Sequence, residues 1–225
     1  MEQPTILNID QLVAYLHQER RLSGQRRKEM LDLDGWQTPM AETFMVGLVG
    51  PPGAGKTTAS EQLLSRLPSA QQFPMDGYHL SQKVLAELGL ADRKGAPETF
   101  DVAGLLTDLS RLHSGEDPVY VPEFRREIEE PIAAGIRLTQ GAAFTIVEGN
   151  YLLLDQDPWD RVAAHLDLVV YLDVDQEVRL ERLVTRHMKH GRSRPEAFAW
   201  VNAVDEPNAN LISLTRARAD IHVRL

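Results

Sequence analysis

The chain has 225 residues, 43% of them hydrophobic and 25% charged, with no cysteine. That length and balance fit one folded domain with a lid or appended segment, and they exclude collagen-like, low-complexity and disulfide-framed architectures, thiolate nucleophiles and cysteine-based zinc sites. Lys plus Arg number 24 against 33 Asp plus Glu, a net charge of −9, so a polyanion is repelled overall and no nucleic acid partner is expected.

Met1-Glu2-Gln3-Pro4 lacks the basic start and apolar stretch of a secretory leader, and no run approaches the roughly 18 apolar residues that span a bilayer. The expected location is the cytoplasm, with no membrane partner. Asp10 stands before the helically spaced apolar residues of Gln11-Leu12-Val13-Ala14-Tyr15-Leu16, which predicts a capped helix over about residues 10–22. The stretch from Ser23 to Ala41, with Arg26, Arg27, Lys28, Gly35 and Pro39, has no sustained period and reads as a connector. Residues 1–42 are thus expected to form an N-terminal helix and connector ahead of a domain over 43–225.

That domain opens with Phe44-Met45-Val46-Gly47-Leu48-Val49, a short apolar run that predicts a buried strand, followed by a glycine-rich turn and a helix from Thr57 to Leu67. Similar runs recur at 72–75, 143–147, 166–172 and 221–225, separated by helical patterns near 101–113, 159–165, 175–190 and 195–214. Strands alternating with helices predict an α/β fold with a parallel sheet covered on both faces. Between Pro118 and Leu138, the prolines and the alternation of Val119, Val121 and Phe124 predict a hairpin-like insertion.

The first strand ends in Gly50-Pro51-Pro52-Gly53-Ala54-Gly55-Lys56-Thr57-Thr58, which satisfies G-x-x-x-x-G-K-[ST] at every fixed position. Glycines let backbone N–H groups turn inward around phosphate oxygens, and the following helix points its positive end at the same charge. Pro52, Gly53, Ala54, Gly55, Lys56, Thr57 and Thr58 are therefore the expected nucleotide-binding residues. Lys56 reaches the β- and γ-phosphates, and Thr57 coordinates Mg²⁺. A second carboxylate for the metal should end a neighbouring strand. Glu148, followed by Gly149, fits better than Asp173, which reads as the cap of the helix starting near Gln176.

A phosphate cradle alone does not separate a kinase, a switch and a motor. None of Lys28, Lys83, Lys94 or Lys189 lies in a guanine-reading Asn-Lys-x-Asp segment. Instead Pro74-Met75-Asp76-Gly77-Tyr78-His79 places a carboxylate at the end of the second strand, where it can accept the proton of an attacking hydroxyl. The cradle, this Asp-Gly-Tyr-His segment, Arg93-Lys94-Gly95-Ala96-Pro97-Glu98-Thr99-Phe100-Asp101 and Val147-Glu148-Gly149-Asn150-Tyr151 together resemble the P-loop kinase family of uridine kinase, bacterial pantothenate kinase and phosphoribulokinase. The likeness spans roughly residues 44 to 223. It implies a three-layer P-loop NTPase fold with a five-stranded parallel sheet, a small lid and the insertion. It also implies Asp76 as catalytic base, Glu148 as metal assistant, and ATP and Mg²⁺ as cofactors.

Arg179, Arg182 and Arg186 share one helix face by their spacing, and the resemblance puts an arginine-bearing lid here. Arg186 is the expected charge-stabilising residue, although the following His187 replaces the aspartate usual in related enzymes. Gly95 stands where uridine kinases carry a ribose-binding aspartate, which argues against a nucleoside. The overall likeness runs to bacterial nucleoside/nucleotide kinase family and fructose transport system kinase-like proteins, through Asp205-Glu206-Pro207-Asn208-Ala209-x-Leu211, and implies a sugar acceptor. Asn208 offers its amide to a polyol, or marks a helix start. His79 either holds a substrate hydroxyl or packs against the next helix, and Arg125 with Arg126 forms an anion site or a surface pair. By the resemblance, Arg218 stacks on the adenine. The expected activity is ATP-dependent phosphorylation of a small-molecule hydroxyl, with a slowly hydrolysing regulatory or transport-associated NTPase as the alternative and a nucleoside or pantothenate as the alternative acceptor. A homodimer is compatible with these features.

Overall fold

In a computed structural model, residues 5–6, 8–34 and 43–224 are described, with side chains from 8 to 26 and from 43 to 224. Six strands form one parallel sheet: β1 (Thr5–Ile6), β2 (Phe44–Val49), β3 (Ala70–Pro74), β6 (Phe144–Glu148), β7 (Leu168–Asp173) and β8 (Ile221–Arg224), in the order β1-β8-β7-β2-β6-β3. The two-residue β1 lies at the edge of the expected five-stranded sheet. The insertion is an antiparallel pair, β4 (Val119–Arg125) with β5 (Glu130–Leu138), and a short helix, α3 (Gln82–Leu88), precedes it in the chain.

Strand β2 is buried along its whole length, and its period-two alternation divides the core. Phe44, Val46 and Leu48 join Leu63 of α2 (Lys56–Arg66) and Leu12 and Leu16 of α1 (Ile9–Asp34) on one face. Met45 and Val49 join Phe73, Leu105 and Leu109 of α4 (Val102–His113) and Val119 and Val121 of β4 on the other. Such a doubly covered parallel sheet explains why its strands read as continuous apolar runs.

The first helix is longer than its pattern predicts, since residues 23–34 of the expected connector continue α1. Arg21, Arg26 and the residues between them present no apolar stripe, so this extension carries no period to read. Of the basic residues there, Arg26 pairs with Glu19 at 4.0 Å. The side chains of Arg27 and Lys28, and residues 35–42 with Gly35 and Pro39, lie outside the described residues.

The chain closes with α5 (Gln176–Lys189), α6 (Arg194–Trp200) and α7 (Glu206–Ser213), the last two joined by a π-helical turn, Val201–Asp205. Pro207 lacks an N–H and its ring crowds the preceding turn, and widening by one residue relieves both. Glu206 N–H accordingly bonds to Val201 O, five residues back. Asp173 does not cap α5: Asp175 occupies the N-cap position, and Asp173 is bound by Arg216 at 2.8 and 2.6 Å. Among the described residues no helix is long and apolar enough to cross a membrane.

Candidate active site

Parallel strands direct their C-terminal ends to one edge, and the crevice opens where the chain passes to opposite faces on leaving adjacent strands. Here β2 lies between β6 and β7, and β6 lies between β2 and β3. The glycine loop leaves β2, Glu148 ends β6 beside Leu48 and Pro74, and Asp76 follows β3 in a 3₁₀ turn, Met75–Tyr78. Sheet register thus gathers residues some hundred positions apart.

Gly53 has φ +82°, and a Cβ there would lie 2.8 Å from Arg179 O, so the loop needs glycine both for its turn and for α5 to pass over it. Ala59 N–H makes the first bond of α2, to Gly55 O at 2.9 Å. Lys56, Thr57 and Thr58 therefore present first-turn amides toward the loop, a built anion cradle. The Lys56 ammonium folds back onto Gly50 O at 2.8 Å and Pro51 O at 3.3 Å. Burial draws its pKa down to about 8, while Glu148 and Asp76 hold it up and Arg186 and Arg126 push it further down.

Thr57 Oγ1 donates to Glu148 Oε1 at 2.9 Å, and Gln72 Nε2 donates to the other carboxylate oxygen at 3.0 Å. Burial raises the Glu148 pKa, against the opposing pull of Lys56. A hydroxyl and a carboxylate in contact beside a phosphate cradle are hard oxygen donors. They suit Mg²⁺, which is usually held by one or two protein oxygens together with phosphates and water.

Asp76 accepts from Arg126 Nη2 at 3.1 Å, and its main-chain oxygen meets His79 Nδ1 at 2.8 Å. The His79 ring packs against Phe100 and Phe124, with centroids 4.0 and 4.8 Å away. Burial lowers its pKa while Asp76 raises it. Lys94 lies over Phe124 and Tyr151 donates to Gly95 O at 2.6 Å, so the 94–100 segment forms the wall beside Asp76.

The arginines of α5 do not act as one row. Arg179 is buried, bonded to Glu206 and 3.5 Å from Pro52 O. Arg182 is exposed and reaches Gly53 O at 3.5 Å. Arg186 is close enough to Lys56 and Asp76 to influence both electrostatically, and partial desolvation draws its own pKa down. His187 turns inward instead: Arg192 donates to its Nδ1 at 3.0 Å, so its Nε2–H donates to Asp205 at 2.7 Å.

The expected residues therefore fall into two groups. Loop residues 52–58, Asp76, His79, Glu148 and Arg186 converge on the crevice. Arg125 pairs with Glu123 at 3.0 Å, Arg218 pairs with Asp155 at 2.9 Å, and Asn208 lies in the first turn of α7. The sequence reading did not single out Gln72 as a Glu148 partner or tie Arg126 to Asp76. Gln72 had a faint signal, as a polar residue directly before the buried Phe73 and two before Pro74.

The sequence model of the Phosphoribulokinase / Uridine kinase family matches residues 45–225. The chain is 34% identical over 187 residues to the uncharacterized protein YggC of Escherichia coli K12, covering 80% of this chain and 77% of that one. It is 31% identical over 206 residues to a pantothenate kinase of Enterococcus faecalis, covering 79% of this chain and 67% of the kinase. A Silicibacter sp. TM1040 crystal structure, assigned as a fructose transport system kinase, matches with a TM-score of 0.75 at 35% identity, covering 84% of this chain and 94% of that one.

Proposed function

The chain belongs to the phosphoribulokinase/uridine kinase family and is an ATP-dependent phosphotransferase, and we propose that it phosphorylates a hydroxyl of a small sugar or related alcohol. The carrying observation is the convergence of the glycine loop, the Thr57–Glu148 pair and Asp76 at one sheet edge. Such an arrangement can hold a triphosphate on one side and orient a hydroxyl on the other, which is most of what phosphoryl transfer asks of a protein.

In this reading the loop amides and Lys56 bind the β- and γ-phosphates. Thr57 and Glu148 hold Mg²⁺, which when bound neutralises phosphate charge. Asp76 orients the acceptor hydroxyl and takes its proton at a carboxylate oxygen, and Arg186 faces the charge that spreads over the transferred group. Helix α5 lies against the loop and, with α6, forms the lid that limits access of water. The sugar class is supported by the likeness to the Silicibacter protein, and Gly95 in place of a ribose-binding aspartate disfavours nucleosides.

The test is ADP release across sugars, polyols, nucleosides and pantothenate. A sugar or polyol should raise the rate at least about 10²-fold over water alone, the low end of what a positioned base contributes. Stimulation by a nucleoside or pantothenate would replace the acceptor class. A slow rate that no acceptor changes would favour the regulatory NTPase.

Lys56 gives a pH-dependent expectation. The nucleotide-free ammonium loses its proton near pH 8, well below the ordinary 10.5, whereas bound phosphates favour the charged form and raise that value. Between those limits the complex holds a proton that the free protein lacks, so ATP affinity falls as pH climbs through about 8. Calorimetry at pH 9 in buffers of different ionisation enthalpy should detect proton uptake approaching one per site. Uptake should be small at pH 7 and absent in Lys56→Met.

A further inference from the structure

Strand β3, the last in the sheet order, carries two consecutive glutamines, Gln71 and Gln72, and strand alternation sends them to opposite faces. The Gln71 amide is used for structure. Its Nε2 donates to Thr139 O at 3.1 Å and to Thr145 Oγ1 at 2.9 Å, and its Oε1 accepts from Thr139 N–H at 2.9 Å. Those bonds tie β3 to β6 and to the chain leaving β5. Gln72 stands beside Ile146, which packs with Leu63 of α2 on the other face. From there its side chain reaches along β6 to Glu148, two residues further on, and Nε2 donates to Oε2 at 3.0 Å.

A glutamine at the rim of a sheet has water as an ordinary partner, and fixing so long a side chain costs conformational entropy. What it fixes here is the carboxylate whose other oxygen, Oε1, accepts from Thr57 Oγ1 at 2.9 Å. Two donors on two different oxygens set both the plane and the tilt of the Glu148 carboxylate. Lys56 is close enough to act on Glu148 electrostatically, and a carboxylate free to turn would be drawn to that ammonium and away from Thr57. The kind of donor matters as much as its place. A neutral amide orients a carboxylate and leaves its charge intact, whereas a lysine or arginine there would offset the charge that attracts a divalent cation.

Resting on the kinase reading above, we propose that Gln72 is a positioning residue of the metal site: it holds Glu148 toward Thr57, so that the hydroxyl and the carboxylate are set for Mg²⁺ before it binds. Partners in this outer position tune metal affinity through the residue they orient. Gln71, one residue away and on the opposite face, serves the fold instead.

The test is calorimetric and needs no acceptor. The full chain is titrated with a non-hydrolysable ATP analogue in excess Mg²⁺ and again in EDTA, and the ratio of the two Kd values measures what the metal adds. Gln72→Met, similar in length but without a donor, should cut that ratio about 10-fold and leave the Kd in EDTA within about 3-fold of wild type, the low end of the loss expected for an outer partner. Gln71→Met should do the reverse, lowering the melting temperature while the ratio stays within about 2-fold. In a Glu148→Gln background, Gln72→Met should change the ratio by less than about 2-fold, because a residue that acts through Glu148 has no carboxylate left to orient. A ratio that Gln72→Met leaves at the wild-type value, or one that falls equally with and without the Glu148 carboxylate, overturns the proposal. So does an equal fall in Gln71→Met, which would mark both glutamines as supports of the strand. Failure of the underlying reading looks different. A wild-type ratio near unity overturns the metal site itself, and wild-type protein that releases no ADP with any acceptor overturns the kinase, whereas a misassigned Gln72 produces neither result.

Discussion

Replacing Asp76 with asparagine is expected to leave ATP binding unchanged within about 2-fold while slowing transfer to the acceptor by about 10²- to 10⁴-fold, the range a positioned general base supplies. Asparagine keeps the shape of the side chain and an oxygen that can still accept from Arg126, but it cannot take a proton. Asp76 is outside the glycine loop and bonds neither Lys56 nor Thr57, so the triphosphate should lose no direct partner. The comparison requires a nucleotide titration and a single-turnover measurement on the same protein. A variant that transfers at more than about a tenth of the wild-type rate would remove Asp76 as base and leave it as the partner of Arg126 alone. One that also loses ATP would show that the carboxylate supports the loop electrostatically, through Lys56.

The reach of the sequence ended where single residues depend on distant backbone. Loop residues 52–58 were legible because their chemistry is local: glycines, an ammonium and a hydroxyl at fixed spacing build the cradle wherever a strand meets a helix. Strand positions were legible because burial on both faces writes continuous apolar runs. Glu148 could be chosen over Asp173 because the tight turn after it has glycine, and the structure places Glu148 on Thr57 and Asp173 on Arg216. The Asp76–Arg126 contact was not legible. It joins residues fifty apart through a hairpin; Arg125 ends strand β4 and pairs with Glu123 of the same strand, whereas Arg126 begins the turn and reaches Asp76.

The same limit explains the arginines of α5. Helical spacing places Arg179, Arg182 and Arg186 on neighbouring positions of one face, but it does not say what covers each. What covers Arg179 is the carboxylate of Glu206, delivered by the π-helical turn that Pro207 requires. The preceding Asp205 meets His187 from the same turn. Two consecutive carboxylates, Asp205 on His187 and Glu206 on Arg179, therefore pin α5 beside the glycine loop.

Arg179→Met should consequently act on stability before it acts on chemistry. The side chain is buried, and its removal leaves the mostly buried Glu206 carboxylate without its cation, a loss of about 3–5 kcal/mol for one broken half of a buried pair. In a chain of this size that lowers the melting temperature by about 6–20 °C. Affinity for ATP should weaken as well, because the Arg179 backbone and side chain back the turn at Gly53. Adding Glu206→Met should recover part of the lost stability, since an apolar pair of similar volume carries no desolvated charge. Arg182→Ala supplies the contrast: its guanidinium is exposed and only 3.5 Å from Gly53 O, so its cost to stability should stay below about 1 kcal/mol. Thermal melts of the three variants, with and without ATP, decide the matter. If Arg179→Met melts with the wild type while turnover collapses, Arg179 is a clamp on the transferred group, and the division of labour along α5 inferred from its burial is wrong.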